Sequence, residues 1–146
     1  MDKLLRILYA EDNQNDIDLT MAAFQESHLA NKIDIVHDGE EALDYLFYRG
    51  KFKSRDKTYP AVVLLDIKMP KLDGIEVLKI LRESVEYKNL PVVMLTSSQM
   101  ETDVIQSYDL GANSFVVKPI DFFEFVKAIK TIGYFWAILN TTPSNV

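Results

Sequence analysis

The residues able to do chemistry sit at the ends of short apolar runs. Glu11 and Asp12 follow Ile7-Leu8-Tyr9-Ala10, and Asp66 follows Val62-Val63-Leu64-Leu65. Thr96 closes Val92-Val93-Met94-Leu95, and Lys118 follows Phe115-Val116-Val117. Three carboxylates brought close together repel one another unless a cation neutralises them. A few hard oxygen ligands with room for water suit Mg²⁺ better than a softer metal. Glu11 and Asp12 are then the metal carboxylates, with Asp66 as a third ligand. A carboxylate can also attack phosphorus and form an acyl phosphate. In that chemistry the metal shields the incoming charge, Lys118 supplies a point charge to the phosphoryl oxygens, and the Thr96 hydroxyl donates a hydrogen bond.

The elements that must position these groups are legible in the periodicity. Residues 6–12, 32–37, 61–66, 91–98 and 114–119 read as strands. Residues 62–65 and 92–95 are apolar on consecutive positions, as in strands covered on both faces. Helical periodicity separates them. Asn13 caps a helix carrying Ile17, Thr20, Met21 and Phe24 on one face. Residues 40–49 turn Ala42, Leu43, Leu46 and Phe47 inward, and residues 74–83 do the same with Ile75, Leu78 and Leu81. Residues 100–110 and 121–139 read as the fourth and fifth helices, the last one extended. Strict strand–helix alternation predicts an α/β fold, a parallel sheet with helices on both sides.

All carboxyl ends of a parallel sheet lie at one edge, where open α/β sheets bind ligands. Glu11, Asp12, Asp66, Thr96 and Lys118 therefore converge. Capping and solvation of strand ends would explain any one of them, but explains the whole set poorly.

The 146 residues suffice for one domain, residues 1–140, with residues 141–146 as a frayed tail. The chain has no cysteine, which excludes disulfides and thiolate metal sites and fits a cytoplasmic protein. No apolar run is long enough to span a bilayer, so no membrane role is expected. A net charge of −6 argues against nucleic-acid binding.

Taken in order and spacing, Glu11-Asp12, Asp66 with Met69-Pro70 and Asp73-Gly74, Thr96, and Lys118-Pro119 after Phe115 resemble the receiver domain of two-component response regulators. The resemblance covers residues 6–132. It implies a flavodoxin-like, doubly wound sheet of order 2-1-3-4-5 with five helices. It implies Asp66 as phosphoacceptor, Glu11 and Asp12 as Mg²⁺ carboxylates, and Lys118 as phosphate partner. It further implies a metal contact from the Lys68 backbone carbonyl, with the Lys68 side chain pointing outward, and a cis Lys118–Pro119 peptide. The switch it implies moves Thr96 toward the phosphate while Phe115 turns inward, changing the face of the fourth helix, fifth strand and fifth helix. Plain core packing is the other reading of Phe115.

The last helix carries two apolar sides. Phe122, Phe125, Ile129, Ile132, Trp136 and Leu139 form one stripe, and Phe123, Val126, Tyr134 and Ala137 a second. Phe122, Phe125, Tyr134, Phe135 and Trp136 are accordingly candidates for a homodimer seam, against the alternative of one wide core face. The segment "GYFWAILN" resembles the last helix of stand-alone receivers serving bacterial phytochromes, which implies a phytochrome-type histidine kinase as partner. Residues 50–60 read as a polar, basic loop, solvated or docking an acidic partner. His28 and His37 have no companion at ligand spacing.

The function expected is a phosphorylated switch without an output domain, signalling by protein contact. A phosphorelay intermediate and a phosphate-independent dimerisation module are the alternatives. An aspartate-dependent phosphatase needs an acid two residues past the nucleophile, where this chain has Lys68. A nucleotide or flavin carrier needs a glycine-rich turn after the first strand, where this chain has "AEDNQND".

Overall fold

The structure, a computed structural model, describes residues 6–26, 32–97, 109 and 111–131. Strands β1 (Arg6–Ala10), β2 (Lys32–Val36), β3 (Pro60–Asp66), β4 (Val92–Thr96) and β5 (Ser114–Val117) form one parallel sheet of order β2-β1-β3-β4-β5. Helices α1 (Gln14–Glu26), α2 (Gly39–Leu46), α3 (Gly74–Arg82) and α4 (Phe122–Thr131) follow β1, β2, β3 and β5. This is the predicted flavodoxin-like architecture. The predicted helix over residues 100–110 lies outside the described residues apart from Asp109, so four of the five expected α-helices are seen.

Alternation along each strand divides the core into two layers. Leu8, Ala10, Val63, Leu65, Val92 and Met94 point to one face, where Leu43 and Leu46 of α2 and Val77, Leu78 and Leu81 of α3 cover them. Ile7, Tyr9, Val62, Leu64, Val93, Leu95 and Val116 point to the other, under Ile17 and Phe24 of α1 and Phe125 and Ala128 of α4. Strands buried on both faces need apolar residues at every position, which is why 62–65 and 92–95 carry no alternation.

Side-chain caps start the helices. The Asp16 amide donates to Asn13 Oδ1 at 3.0 Å, and the Glu41 amide to Asp38 Oδ1 at 2.7 Å. Asp73 and Glu76 form a reciprocal capping box at the start of α3, both hydrogen bonds at 2.9 Å.

α2 ends at Leu46 rather than the predicted Arg49. Tyr48 (φ 57°) and Gly50 (φ 56°) adopt left-handed backbone, which no α-helix continues through. The basic loop is also more than a solvated connection. Phe52 packs edge-on to Tyr45 with ring centroids 5.2 Å apart. The Arg55 guanidinium lies against the rings of Tyr45 and Tyr48, 3.7 and 4.3 Å from their centroids, while its Nε donates to the Tyr45 carbonyl at 2.7 Å. Lys51 pairs with Glu41 at 2.5 Å. A cation stacked on aromatic faces braces the chain between α2 and β3.

The described part of α4 corrects one candidate interface residue. Phe125 is fully buried, edge-on to Phe24 with centroids 5.0 Å apart, and is not available to a partner. It lies one turn before buried Ala128, so the sheet-facing stripe claims it. Phe123, two positions earlier, is 78% exposed. Tyr134, Phe135 and Trp136 lie outside the described residues, as does the tail.

Candidate functional site

Register brings the strand ends together. Ala10 pairs with Leu65 and Asp66 with Leu95, so Glu11 and Asp66 emerge side by side. Thr96 pairs with Val117, and the Lys118 amide donates to the Thr96 carbonyl at 2.8 Å. The Glu11 amide donates to the Val36 carbonyl at 3.0 Å, and the Ile67 amide to the Leu95 carbonyl at 3.1 Å. These bonds extend the sheet past its formal strand ends and fix the backbone of the site.

The same period of two sorts the functional side chains by face. Glu11 continues the row of Ile7 and Tyr9, Asp66 that of Val62 and Leu64, and Lys118 that of Val116, all on the α1 and α4 side. Thr96 continues the row of Val92 and Met94, and half-buried Phe115 packs on that opposite layer. The predicted switch pair therefore shares one face, on neighbouring strands.

Among the described residues, Glu11, Asp12 and Asp66 each offer an oxygen within 4.8 Å of the other two. Glu11 and Asp66 are buried and Asp12 is exposed. The Lys118 ammonium reaches into the cluster, 3.1 Å from Glu11 Oε1 and 3.1 Å from Asp66 Oδ1. It also meets Asp16 Oδ2 at 2.8 Å. Asp16 is not among the residues the sequence points to. Its one available signal is its place one helical turn past Asp12, which carries its carboxylate back over the strand end.

Three carboxylates thus meet one ammonium, with Asp12 beside two of them. Burial, then repulsion from Glu11, push the Asp66 carboxyl up to about 7, against the opposing pull of Lys118. Burial disfavours charge on Lys118, but Asp16, Asp66 and Glu11 outweigh it and hold the ammonium above its ordinary range. A buried carboxylate that resists ionisation among other carboxylates is the electrostatic condition a bound cation relieves. Oxygen-only donors, one of them solvent-facing, fit a hard divalent cation that keeps water.

The chain after Asp66 is held tightly. The Gly74 amide donates to the Ile67 carbonyl at 2.8 Å, and a Cβ at Gly74 would overlap the carbonyl oxygen of Asp66. Ile67 and Met69 are buried while Lys68 is exposed, so the Lys68 side chain does point outward. The Lys118–Pro119 peptide is cis. His37 is exposed, beside Glu41, and His28 lies outside the described residues. Among the described residues, no helix is long and apolar enough to cross a membrane.

Comparison with known proteins agrees with this geometry. The sequence profile of the response regulator receiver domain matches residues 7–130. The bacteriophytochrome response regulator RtBRR is 50% identical and superposes with a TM-score of 0.87, covering 97% of this chain and 85% of its own. The phosphorylated cyanobacterial phytochrome response regulator RcpA is 34% identical, with a TM-score of 0.75 over 92% of this chain and 95% of its own. Response regulator Rcp1 of Synechocystis sp. (strain ATCC 27184 / PCC 6803 / Kazusa) is 33% identical over 94% of this chain and 92% of its own. Its Mn²⁺-bound form superposes with a TM-score of 0.73, covering 90% and 94% of the two chains.

Proposed function

Since this chain belongs to the response regulator receiver domain family, we propose that Asp66 accepts a phosphoryl group from a histidine kinase and that the modified protein signals through a changed surface. The observation that carries this reading is the Lys118 ammonium 3.1 Å from a buried Asp66 carboxylate that Glu11 and Asp12 flank. An Asp66 oxygen attacks phosphorus. The new O–P bond forms as the bond to the donor breaks, and the donor's leaving atom, the imidazole nitrogen in a phosphohistidine, takes the electron pair. Hydrolysis by water later returns the free carboxylate and inorganic phosphate.

Glu11, Asp12, Asp66 and the Lys68 carbonyl would hold Mg²⁺. Bound there, the ion supplies positive charge to the phosphoryl oxygens and lowers the proton affinity of Asp66. Lys118 donates to a phosphoryl oxygen as a point charge. Thr96, at the adjacent strand end, donates its hydroxyl hydrogen. Phe115, on the same face as Thr96, is the side chain whose packing responds. The position two residues past Asp66, where an aspartate-dependent phosphatase needs its general acid, is Lys68, so the reading is a phosphoacceptor and not an enzyme in the ordinary sense.

The names of RtBRR and RcpA support a kinase of the phytochrome type. A homodimer through the last helix is part of the proposal. It rests on Phe123 and Val117, both exposed at the α4 and β5 surface, with Phe122 as a further candidate.

The test is intact mass after incubation with acetyl phosphate, with and without Mg²⁺, on wild type and Asp66→Asn. The expected result is a Mg²⁺-dependent, hydroxylamine-labile gain of one phosphoryl group that the variant lacks. An adduct retained in Asp66→Asn would move the acceptor elsewhere. No adduct, together with no beryllofluoride binding, would end the phosphoacceptor reading.

A further inference from the structure

The acidic cluster and Lys118 account for the expected phosphoryl chemistry, but they leave one contact unexplained. Asp16 Oδ2 is the carboxylate oxygen nearest to Lys118 Nζ, at 2.8 Å against 3.1 Å for both Glu11 and Asp66. Asp16 lies outside the three-carboxylate cluster. We propose that Asp16 is a positioning residue: it anchors the Lys118 ammonium to α1 and keeps it aimed at the Asp66 oxygen that receives the phosphoryl group. The proposal rests on the reading of Asp66 as phosphoacceptor.

Three observations carry it. The first is that Asp16 sits on a rigid element. Its amide is held by the Asn13 side chain at 3.0 Å, and its neighbours on α1, Ile17, Thr20 and Phe24, are buried in the core. The second is that face alternation sends Lys118 toward α1, on the row of Val116. Without a partner there, a four-carbon stem ending in a strongly hydrated charge has many rotamers to lose on meeting a phosphoryl oxygen. The third is that the other two partners of Lys118 are engaged by the chemistry. Glu11 belongs to the metal cluster, and Asp66 becomes the acyl phosphate. Asp16 alone among the three is neither in the metal cluster nor the phosphoacceptor, and an ammonium has three hydrogens, so one can stay with Asp16 while the others serve the site.

The charge of Asp16 works against an arriving phosphoryl group. It is already paired at 2.8 Å, and its side chain is 28% exposed, so solvent screens what remains. Positioning is therefore expected to outweigh repulsion.

The experiment compares wild type, Asp16→Ala, Asp16→Glu and Asp18→Ala. Asp18 is an exposed acid on the same helix that accepts a hydrogen bond from Gln14, away from Lys118. It controls for lost charge and helix stability. Asp16→Ala is expected to label with acetyl phosphate roughly fivefold more slowly, the scale of releasing one rotamer-rich side chain. Its Mg²⁺ affinity, measured by titration without phosphoryl donor, is expected to stay within about twofold of wild type, as an anchor outside the metal cluster requires. Asp16→Glu is expected to recover most of the rate, and Asp18→Ala to match wild type. A second readout needs no phosphoryl chemistry: ¹⁵N-detected NMR of the lysine ammonium groups in Mg²⁺-free protein. The slow-exchanging Lys118 signal, assigned by its loss in Lys118→Ala, is expected to broaden in Asp16→Ala and persist in Asp18→Ala.

Wild-type or faster labelling in Asp16→Ala overturns the proposal, as does a loss of Mg²⁺ affinity by the same factor as the loss of rate. An unchanged Lys118 signal overturns the anchor itself. A wild-type protein that neither labels nor binds beryllofluoride would instead end the phosphoacceptor reading, while the ammonium signal still reports whether Asp16 holds Lys118.

Discussion

Gly74 and Asp66 are in backbone contact: a single carbon added to Gly74 would overlap the carbonyl oxygen of Asp66 and come within 3.0 Å of the Ile67 Cα. The start of α3 is thus packed directly on the residue that presents the site. Gly74→Ala is expected to destabilise the protein by about 1–3 kcal/mol, the usual scale of overpacking. It should also slow acetyl-phosphate labelling, because the clash is with backbone that cannot rotate away. Urea denaturation and the mass assay check both, and an unperturbed labelling rate would refute the link.

The raised proton affinity of Asp66 has a consequence for stability in Mg²⁺-free protein. Its carboxyl moves from an ordinary value of 3.8 unfolded to about 7 folded. Between those values the folded state binds more protons than the unfolded state. Stability therefore falls as pH rises through that window and levels off above it. Asp66→Asn removes the ionisation, so its Tm is expected to exceed that of wild type at pH 8 and to approach it near pH 4. Paired thermal melts across pH in chelator decide the point.

Addition of Mg²⁺ is expected to reverse that destabilisation. A ligand that binds only the folded state contributes about 2.7 kcal/mol at one hundred times its dissociation constant. Wild type should show a Mg²⁺-dependent rise in Tm that chelator removes. Asp12→Asn should lose most of the rise, since Asp12 is the exposed member of the cluster and pairs with no cation among the described ion pairs.

The two aromatic residues at the start of α4 should behave oppositely. Phe125 packs on Phe24 inside the core, and Phe125→Ala is expected to cost about 3–5 kcal/mol. Phe123 is exposed, and Phe123→Ser should change monomer stability by no more than about 0.5 kcal/mol. If the last helix forms a homodimer seam, Phe123→Ser should weaken self-association in sedimentation equilibrium while leaving the fold intact.

At the opposite sheet edge, Arg82 donates to the carbonyls of Leu90 at 2.9 Å and Gly111 at 3.0 Å. It ties the end of α3 to the segments entering β4 and β5. Arg82→Met keeps much of the aliphatic volume but strands these acceptors, and is expected to cost about 1–3 kcal/mol. A loss of hydrogen-exchange protection at Val92 and Asn113 would locate the effect.

Sequence alone determined the alternating parallel sheet, because strands covered on both faces must be apolar at consecutive positions, as 62–65 and 92–95 are. It also determined which groups meet, because every strand of a parallel sheet delivers its carboxyl end to the same edge. Tertiary structure decided what periodicity cannot express. Phe122, Phe123 and Phe125 are alike in composition, but only the docking of α4 beside Phe24 buried Phe125 and left Phe123 outside. The early end of α2 came from left-handed backbone at Tyr48, a residue with no local tendency toward it. Arg55 reads as one more loop cation until Tyr45 and Tyr48 close on it. Asp16 became part of the site only once β5 lay where Lys118 could cross to α1, a pairing between residues 102 positions apart. Local patterns carry secondary structure and edge polarity, whereas contacts between distant elements depend on how the layers pack.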